Sequence, residues 1–307
     1  MSPVVSLTGV GRGFRDHQAL TDVSFALDTP CIAGLVGRNG AGKTTLLRIL
    51  AGQEFATAGT VHAFGAPPLE NDAVLRRMIL VREDQTYPEL RVRHAIAAAS
   101  LFYPNWDQEL ADTLLDAYEL PPARPIRKLS RGMRTALGIT VGLAVRAEVT
   151  LFDEPYAGLD AVARSLFYDH LLADYAAHPR CIVLSTHLVD EAAELLDRVL
   201  VLDRGRLVLD APTDELRGTA TTVTGPATAV DRFIATRATV SRRSMGAQTR
   251  AVMVGRLDGR DRELAEHLRL RLEECTLQQL AVHAAERHGE PGAGPHDPSG
   301  LTTARAS

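Results

Sequence analysis

The feature that most constrains the fold of this chain is a glycine-rich turn at residues 37–44, between an apolar run and a segment with helical spacing. The run before it, residues 32–36, is continuously apolar, which is typical of a strand that is buried on both faces of a sheet. The segment after it, residues 44–51, has leucine and isoleucine at helical spacing and is followed by Gly52, a residue type that often ends helices. The sequence therefore predicts a strand, a tight turn and a helix in direct succession.

The turn itself reads Gly37-Arg38-Asn39-Gly40-Ala41-Gly42-Lys43-Thr44 and fits the pattern G-x-x-x-x-G-K-[ST]. Its glycines let backbone N–H groups approach phosphate oxygens, and the positive end of the following helix favours an anion. We expect Lys43 to reach the β- and γ-phosphates, the Thr44 hydroxyl to ligate Mg²⁺, and Thr45 to complete the nucleotide-binding set. The motif predicts a nucleoside triphosphate as the ligand. A flexible glycine-rich loop is the alternative, and the motif alone does not distinguish a kinase from a motor.

A second apolar segment, residues 149–152, is followed by the acids Asp153 and Glu154. Side chains alternate along a strand, so these two carboxylates are expected to point in different directions and to serve different purposes. We assign Asp153 to Mg²⁺, directly or through water. We assign Glu154 to positioning and deprotonating an attacking water, which contributes about 10²–10⁴-fold to a rate. Solvated acids at a strand end are the alternative, and the phosphate-binding turn favours the catalytic interpretation.

Apolar segments alternate with amphipathic ones through most of the chain, which indicates an α/β fold with a mainly parallel sheet and helices on both faces. Buried strands are predicted at residues 78–81, 149–152, 181–185 and 199–202, and helices at residues 93–102, 108–118, 131–145, 161–175 and 189–196. Short alternating segments at residues 5–7 and 23–27 predict an antiparallel β subdomain. The nearly all-helical stretch from about residue 90 to 145 predicts a helical subdomain that projects from the sheet.

The composition changes after Arg217, and we place a domain boundary there, so that residues 1–217 form the first domain. Residues 218–288 are predicted to form a small C-terminal α/β accessory domain. Its threonine-rich start is followed by helices near residues 227–235 and 263–272 and by strands near residues 239–241 and 251–254. Residues 289–307 are rich in proline, glycine and serine, which is typical of a disordered tail.

Composition places the chain among soluble globular proteins, with 45% hydrophobic and 23% charged residues and a net charge of −4. Such a charge supplies no general attraction to nucleic acid. The sequence contains no run of roughly 18 uncharged apolar residues that could span a membrane, and its start lacks a secretory signal. Cys31, Cys181 and Cys275 are scattered without metal-ligand spacing, which suits a reducing compartment. We therefore expect a cytosolic protein with no nucleic-acid partner.

Further segments stand in a recognisable order around these motifs. They are Leu129-Ser130-Arg131-Gly132-Met133, Ala157-Gly158-Leu159-Asp160, Ser185-Thr186-His187 and Asp203-Arg204-Gly205-Arg206. Together with the phosphate-binding turn, this ordered set resembles the ATP-binding subunit of ATP-binding cassette (ABC) transporters. The resemblance covers about the first 217 residues and implies a P-loop NTPase of ABC type that binds ATP and Mg²⁺ and hydrolyses ATP.

In that family two cassettes face head to tail with ATP between them, so the resemblance implies a dimer, either homomeric or heteromeric. The signature segment, which contacts the ATP of the other protomer, would comprise Ser130, Arg131, Gly132 and Met133. His187 resembles the switch histidine at the γ-phosphate, Asp160 the acid that couples the two sites, and Phe14 the aromatic residue that stacks on adenine. The alternatives are a simple helix cap for Ser130, an ordinary loop histidine and an ordinary core phenylalanine.

The chain departs from the family pattern in two places. The signature of the family usually reads Leu-Ser-Gly-Gly-Gln, whereas this chain has Arg131 and Met133 in place of the middle glycine and the glutamine. The glutamine switch of the family has no glutamine at its expected place in residues 80–90. We place Glu83 there, as a ligand of Mg²⁺ or of its water, because a hard cation prefers oxygen ligands. Gln85 is the second choice.

The resemblance implies an ATPase subunit that powers an ABC transporter whose membrane-spanning permease lies on a separate chain. Residues 38–41 and 102–106 resemble those of exporter-type subunits more than those of nutrient importers, which favours export. Such a subunit would be cytoplasmic and peripheral on the inner face of the cell membrane. Residues 102–106 are a candidate docking surface, with an aromatic core patch as the alternative. A soluble ABC-type ATPase acting on the ribosome or on nucleic acid is the alternative function. A small-molecule kinase would leave the signature segment and His187 without a role.

Overall fold

The computed structural model describes residues 3–82, 85 and 89–288. Its strands are β1 (Val5–Phe14), β2 (His17–Leu27), β3 (Cys31–Val36), β4 (Ala58–Ala63), β5 (Met78–Arg82), β6 (Val149–Asp153), β7 (Cys181–Thr186), β8 (Arg198–Asp203), β9 (Arg206–Pro212), β10 (Ala220–Pro226), β11 (Thr239–Met245), β12 (Gln248–Val254) and β13 (Arg271–Glu274). Its helices are α1 (Lys43–Leu50), α2 (Asp72–Leu75), α3 (Val92–Phe102), α4 (Gln108–Ala117), α5 (Arg131–Ala144), α6 (Ala161–Ala177), α7 (Val189–Ala192), α8 (Thr213–Leu216), α9 (Ala227–Ile234), α10 (Gly259–His267) and α11 (Leu277–His288), with a 3₁₀ turn at Ile126–Lys128. None of the described helices combines the length and the apolar character that a membrane span requires.

The central sheet has six strands in the order β5-β6-β7-β3-β8-β9. Strands β5, β6, β7 and β3 run parallel, with Asp153 opposite Ser185 and Val36 opposite Thr186. Every residue of β3 and β7 is buried, as their continuous apolar runs predicted. Parallel strands in register bring their carboxyl ends to one edge of the sheet, so the phosphate-binding turn, Asp153 and Thr186 lie at the same edge. The predicted α/β fold with a mainly parallel sheet is confirmed.

The N-terminal strands form a separate antiparallel sheet in the order β2-β1-β4. Val5 lies opposite both Leu27 and Ala63, and Leu7 lies opposite Phe25. All of these side chains are buried, which accounts for the alternating apolar pattern of residues 5–7 and 23–27. The predicted antiparallel β subdomain is confirmed, with strands that are longer than the segments that predicted them.

The stretch between β5 and β6 is mainly helical, and α3, α4 and α5 share one apolar core that includes Ile96 and Leu137. The side chains of Asp107 and Ser130 cap the first turns of α4 and α5. The helices predicted at residues 93–102, 108–118 and 131–145 are confirmed to within one residue at each end. The helix predicted at residues 189–196 is wrong beyond Ala192, where α7 ends.

Contacts within the chain divide it into two compact units. The first runs to His187 and includes Glu194–Asp197 and Leu202–Leu207. The second comprises Leu188–Ala193, Arg198–Val201 and the described residues from Val208 onward. The boundary that we placed after Arg217 stays a prediction, and the tail predicted at residues 289–307 lies outside the described residues.

The second unit contains a four-stranded antiparallel sheet in the order β11-β12-β10-β13. Its elements β10, α9, β11, β12, α10 and β13 follow one another in the βαββαβ order of ferredoxin-like folds. The helix predicted near residues 263–272 is wrong at its end, because α10 ends at His267 and Arg269 has a φ of +54°. Leu272 lies instead in β13, opposite Val223. That pairing is a tertiary contact that the local pattern does not show.

Candidate functional site

The phosphate-binding turn follows β3 directly and is held by close backbone approaches that require glycine. A Cβ at Gly37 would collide with the carbonyl oxygen of Leu202, and Gly42 has a φ of +106°, which side chains rarely tolerate. The carbonyl oxygen of Ala41 accepts a hydrogen bond from Gly205 N at 2.9 Å. The turn is therefore anchored at its base, and its conformation depends on these glycines.

The tip of the turn, Arg38, Asn39 and Gly40, is exposed. Helix α1 begins at Lys43, and its N-cap Gly42 supplies no capping side chain. Its first turn contains no acidic residue, and it carries Thr44, which is exposed, and Thr45, which is half-buried. The first N–H groups of a helix that lacks a side-chain cap are available to an anion, which the helix dipole also favours.

Lys43 is 5% exposed and is surrounded by oxygen atoms. Its Nζ donates hydrogen bonds to the carbonyl oxygens of Gly37 at 2.8 Å and Arg38 at 3.4 Å. The same nitrogen forms an ion pair with Glu154 Oε1 at 3.1 Å. The charge of Lys43 therefore lies inside the phosphate-binding turn, and the acidic segment after β6 supplies its counter-charge.

The two acids after β6 take different positions, and Ser185 at the end of β7 connects them. The hydroxyl of Ser185 donates a hydrogen bond to Asp153 Oδ1 at 2.7 Å and accepts one from Glu154 N at 3.1 Å. Asp153 is buried. The backbone turns sharply at the next residue, Glu154, whose φ of +48° is uncommon for a residue with a side chain. This local conformation directs the Glu154 carboxylate to Lys43 rather than along the strand.

His187 follows β7 and contacts the second oxygen of the same carboxylate. Its Nδ1 lies 3.0 Å from Glu154 Oε2. Tyr156, which the sequence motifs did not single out, places its hydroxyl 3.0 Å from His187 N and 2.7 Å from Thr186 Oγ1. The structure thus brings together Lys43, Glu154 and His187, three residues that the sequence analysis assigned to one site from separate motifs.

The signature segment lies at the start of α5 and packs against the loop after β6. Ser130 is exposed, and its hydroxyl accepts a hydrogen bond from Met133 N at 3.2 Å. A Cβ at Gly132 would lie 2.7 Å from Gly158 O, so glycine is required for this close approach. Asp160 at the end of the same loop caps α6, accepting a hydrogen bond from Ala163 N at 2.8 Å.

The Ser130 hydroxyl has its hydrogen-bond partner within its own helix. In the part of the chain that the structure describes, no hydrogen bond links Ser130 to Lys43, Glu154 or His187. Arg131 is exposed, and Gly132 and Met133 are half-buried. Ser130 therefore caps α5 with its hydroxyl and is also exposed at the surface of the protein.

Phe14 lies at the end of β1 and is 46% exposed. The buried guanidinium of Arg12 lies 4.4 Å from the centre of its ring and 4.0 Å from that of Phe55. Glu54 balances this guanidinium at 2.9 Å. The sequence analysis missed Arg12 and Phe55 because no motif marks them. The buried guanidinium holds two exposed aromatic rings, on either of which a purine could stack.

The remaining site candidate, Glu83, lies outside the described residues. Its alternative, Gln85, is half-buried, and its backbone N–H donates a hydrogen bond to Arg82 O at 3.3 Å. Both follow β5, which pairs with β6 so that Arg82 lies opposite Asp153. The last residue of β5 therefore lies beside the last residue of β6.

The proposed docking residues divide into two groups. Phe102 at the end of α3 is 72% exposed, and the preceding Leu101 is 87% exposed. Tyr103 and Trp106 instead pack against the apolar core of the helical stretch. The core interpretation therefore applies to the second pair, whereas Leu101 and Phe102 form an uncovered apolar patch in the described chain.

Comparisons with known proteins converge on one family. The sequence profile described as "ABC transporter" matches residues 20–157. The Nod factor export ATP-binding protein I of Ralstonia nicotianae is 30% identical over 222 residues, which cover 70% of this chain and 69% of that protein. The aliphatic sulfonates import ATP-binding protein SsuB 3 of Rhodococcus jostii is 34% identical over 214 residues, covering 67% of this chain and 74% of that protein. The solved structure of an ATP-binding subunit of an ABC transporter superposes with a TM-score of 0.63 at 22% identity, covering 69% of this chain and 91% of that one, and shares its fold.

Proposed function

This chain belongs to the ABC transporter ATP-binding proteins, which are ATP-binding ATPases, and on that premise we propose that it powers export through a permease subunit on a separate membrane-spanning chain. The observation that carries the proposal is the position of the Glu154 carboxylate between Lys43 Nζ and His187 Nδ1. A carboxylate held between a phosphate-binding cation and an imidazole suits the activation of water beside a terminal phosphate.

Lys43 and the turn around it would bind the β- and γ-phosphates of ATP. Among the described residues, the partners of Lys43 Nζ are three oxygen atoms, and phosphate oxygens can replace them with charge-assisted hydrogen bonds. The N–H groups at the start of α1 would add further donors. ATP binding would thereby release Glu154 from its ion pair with Lys43 and leave it free to act on water.

The residues at the site fit a bound Mg²⁺. Asp153 and Thr44 offer carboxylate and hydroxyl oxygens, the ligand type that Mg²⁺ prefers, and we keep Glu83 as a third candidate. Within the described residues there is no group of three or more His, Cys, Asp or Glu side chains that could hold a metal ion. That donor set fits an ion that takes most of its ligands from phosphates and water. When bound, Mg²⁺ would neutralise charge on the phosphates.

We propose that the hydrolytic site is completed by a second ATP-binding subunit. Ser130 stands exposed at the N-terminus of the fourteen-residue helix α5, whose first turn contains no acidic residue, and both features favour an anion. The γ-phosphate bound by the partner cassette would be that anion. Because Gly132 packs directly on Gly158, a shift of the signature segment would be transmitted to the loop that carries Asp160.

The permease would bind at the patch formed by Leu101 and Phe102. Two large apolar side chains exposed side by side favour a protein partner. Through that partner the subunit would sit on the inner face of the cell membrane, where ATP is available. We propose export as the direction because the Nod factor relative is named for export. ATP-dependent uptake of solute into inside-out vesicles that hold both subunits tests the direction.

The test of the whole proposal is co-purification from a detergent extract of the native membrane, with ATPase activity measured on the product. We expect a polytopic membrane protein to accompany the wild-type chain and to stimulate its hydrolysis of ATP. Phe102→Glu should lose that partner, whereas Leu172→Glu, which changes an exposed leucine on α6, should keep it. ATPase activity that is stimulated by RNA or ribosomes, with no membrane partner, would contradict the proposal.

A further inference from the structure

Tyr156 lies two residues after Glu154 and is 3% exposed, yet its hydroxyl belongs to the site. The oxygen accepts a hydrogen bond from His187 N at 3.0 Å, and the hydroxyl donates one to Thr186 Oγ1 at 2.7 Å. Its ring meets the imidazole of His187 edge to face, with the ring centres 5.7 Å apart. One buried side chain therefore contacts both the backbone and the ring of His187.

The contacts of Glu154 and Tyr156 together indicate which nitrogen of His187 carries a proton. A tyrosine has a single hydroxyl proton, and here it is directed to Thr186 Oγ1. It is therefore not available to His187 Nδ1, which lies 3.5 Å away. Glu154 Oε2, at 3.0 Å from Nδ1, can only accept a hydrogen bond when ionised. Nδ1 must then carry the proton, and its N–H donates a hydrogen bond to Glu154 Oε2, which leaves Nε2 as the second functional nitrogen.

We propose that Tyr156 is a positioning residue for ATP hydrolysis, which orients His187 and directs its Nδ1–H to Glu154. The inference rests on the proposed roles of Glu154 and His187. Tyr156 does not touch the reacting atoms in this account. It acts through His187, which holds the Glu154 carboxylate from the side opposite Lys43. A misplacement of a catalytic carboxylate by a fraction of an ångström is sufficient to slow the chemical step.

The first test is Tyr156→Phe, which removes only the hydroxyl and keeps the ring in its buried position. We expect kcat for ATP hydrolysis to fall about tenfold, as for the loss of one ordinary hydrogen bond from the reacting geometry, with little change in KM. The matched control is Tyr175→Phe. Tyr175 lies on α6, and the substitution removes a hydroxyl that donates a hydrogen bond to Asp197 Oδ2 at 3.2 Å. Its kcat should equal that of the wild type. Equal kcat values for Tyr156→Phe and Tyr175→Phe would overturn the proposal.

A double-mutant cycle separates positioning from a general effect on the fold. If Tyr156 acts through His187, then Tyr156→Phe should cause no further loss of kcat in a His187→Ala background. If Tyr156 only supports the fold, the two losses should multiply, and that result would overturn the proposal. Glu154→Gln is measured alongside: wild-type turnover in that variant would mean that the assigned hydrolytic site is wrong, which is a different failure.

A second pair of variants covers the case in which Tyr156→Phe does not fold. Thr186 is fully buried, and its Oγ1 accepts a hydrogen bond from the tyrosine hydroxyl. Thr186→Val removes that acceptor while conserving shape, so the tyrosine hydroxyl becomes free to compete with Glu154 for His187 Nδ1. Thr186→Ser keeps an acceptor. We expect a clearly lower kcat for Thr186→Val than for Thr186→Ser, and equal values would contradict the role of Tyr156.

Discussion

Lys43 Nζ lies 3.1 Å from Glu154 Oε1, so the cation assigned to the phosphates and the carboxylate assigned to water are ion-pair partners. The lysine is almost completely buried, and its Nζ also donates hydrogen bonds to the backbone carbonyl oxygens of Gly37 and Arg38. A nucleotide that takes over Lys43 must therefore separate the two side chains. This relationship couples ATP binding to the release of the catalytic carboxylate, and the first two predictions depend on it.

Lys43→Ala should abolish tight binding of ATP. Losing a hydrogen bond to a charged group costs about 1.5–3 kcal/mol, which is about a 10- to 150-fold increase in Kd. Titration of a fluorescent ATP analogue measures the effect. Lys128, the only other lysine of the chain, is exposed and provides the control, because Lys128→Ala should bind ATP normally. Normal affinity in Lys43→Ala would mean that the turn does not bind the phosphates.

Glu154→Gln should bind ATP as well as the wild type or better, because the amide no longer holds Lys43 in an ion pair. Its turnover should fall by about 10²–10⁴-fold, the contribution of a general base. With ATP it should accumulate as a dimer, measurable by light scattering after size exclusion. Glu148→Gln is the control: Glu148 pairs with Arg77 at the partly exposed start of β6, and its loss should leave turnover unchanged. Wild-type turnover in Glu154→Gln would exclude it as the base.

Ser130 should be needed for hydrolysis by the other subunit, beyond its role as a helix cap. Ser130→Asp retains a side chain that caps α5 well and so should keep the thermal stability of the wild type. Its negative charge should nevertheless repel the partner's γ-phosphate and block hydrolysis. Full activity in Ser130→Asp would leave Ser130 as a cap alone.

Mixing variants tests whether the site is shared between two chains. Ser130→Arg and Lys43→Ala should each lack activity by themselves. In their heterodimer one composite site carries both changes and the other carries neither, so the mixture should recover activity. A monomer that hydrolyses ATP at the full rate would contradict the shared site.

Phe14→Ala should weaken ATP binding and leave kcat nearly unchanged, because adenine is remote from the reacting phosphate. Stacking of a base on an aromatic ring contributes about 1–3 kcal/mol. Phe55→Ala is a matched control, since the ring of Phe55 packs on the same Arg12 guanidinium and is 53% exposed, against 46% for Phe14. Comparing KM and Kd for the two variants identifies the ring that stacks on adenine. A larger effect of Phe55→Ala would transfer that role to Phe55.

Short continuous patterns were sufficient to predict the elements around the phosphate-binding turn. Strand β3, the turn and α1 follow one another along the chain, and each is marked by its own apolar run, glycines or helical spacing. The predicted accessory domain, residues 218–288, was predicted less well. The end of α10 and the strand β13 depend on the pairing of Leu272 with Val223, and no local pattern reports a partner so far away in sequence.

The same difference between local patterns and long-range contacts applies to the residues of the site. Lys43, Glu154 and His187 could each be proposed from a motif, but Tyr156 and Arg12 could not, because a single tyrosine or arginine carries no spacing signal. Their roles come from where their strands lie. Tyr156 reaches His187 because β6 and β7 are neighbours, and Arg12 lies between two rings that only folding brings together.

By itself the sequence determined which chemical groups this protein can use and the local strand, turn and helix that present them, because those depend on neighbours along the chain. Which of these groups meet depends on how distant segments pack in the folded chain. The order β6-β7-β3 puts β7, which ends just before His187, between β6, which ends just before Glu154, and β3, which leads into the turn that ends with Lys43 at the start of α1. Strand order and register arise from packing between distant segments, so one carboxylate contacts both cation and imidazole for reasons that no single segment contains.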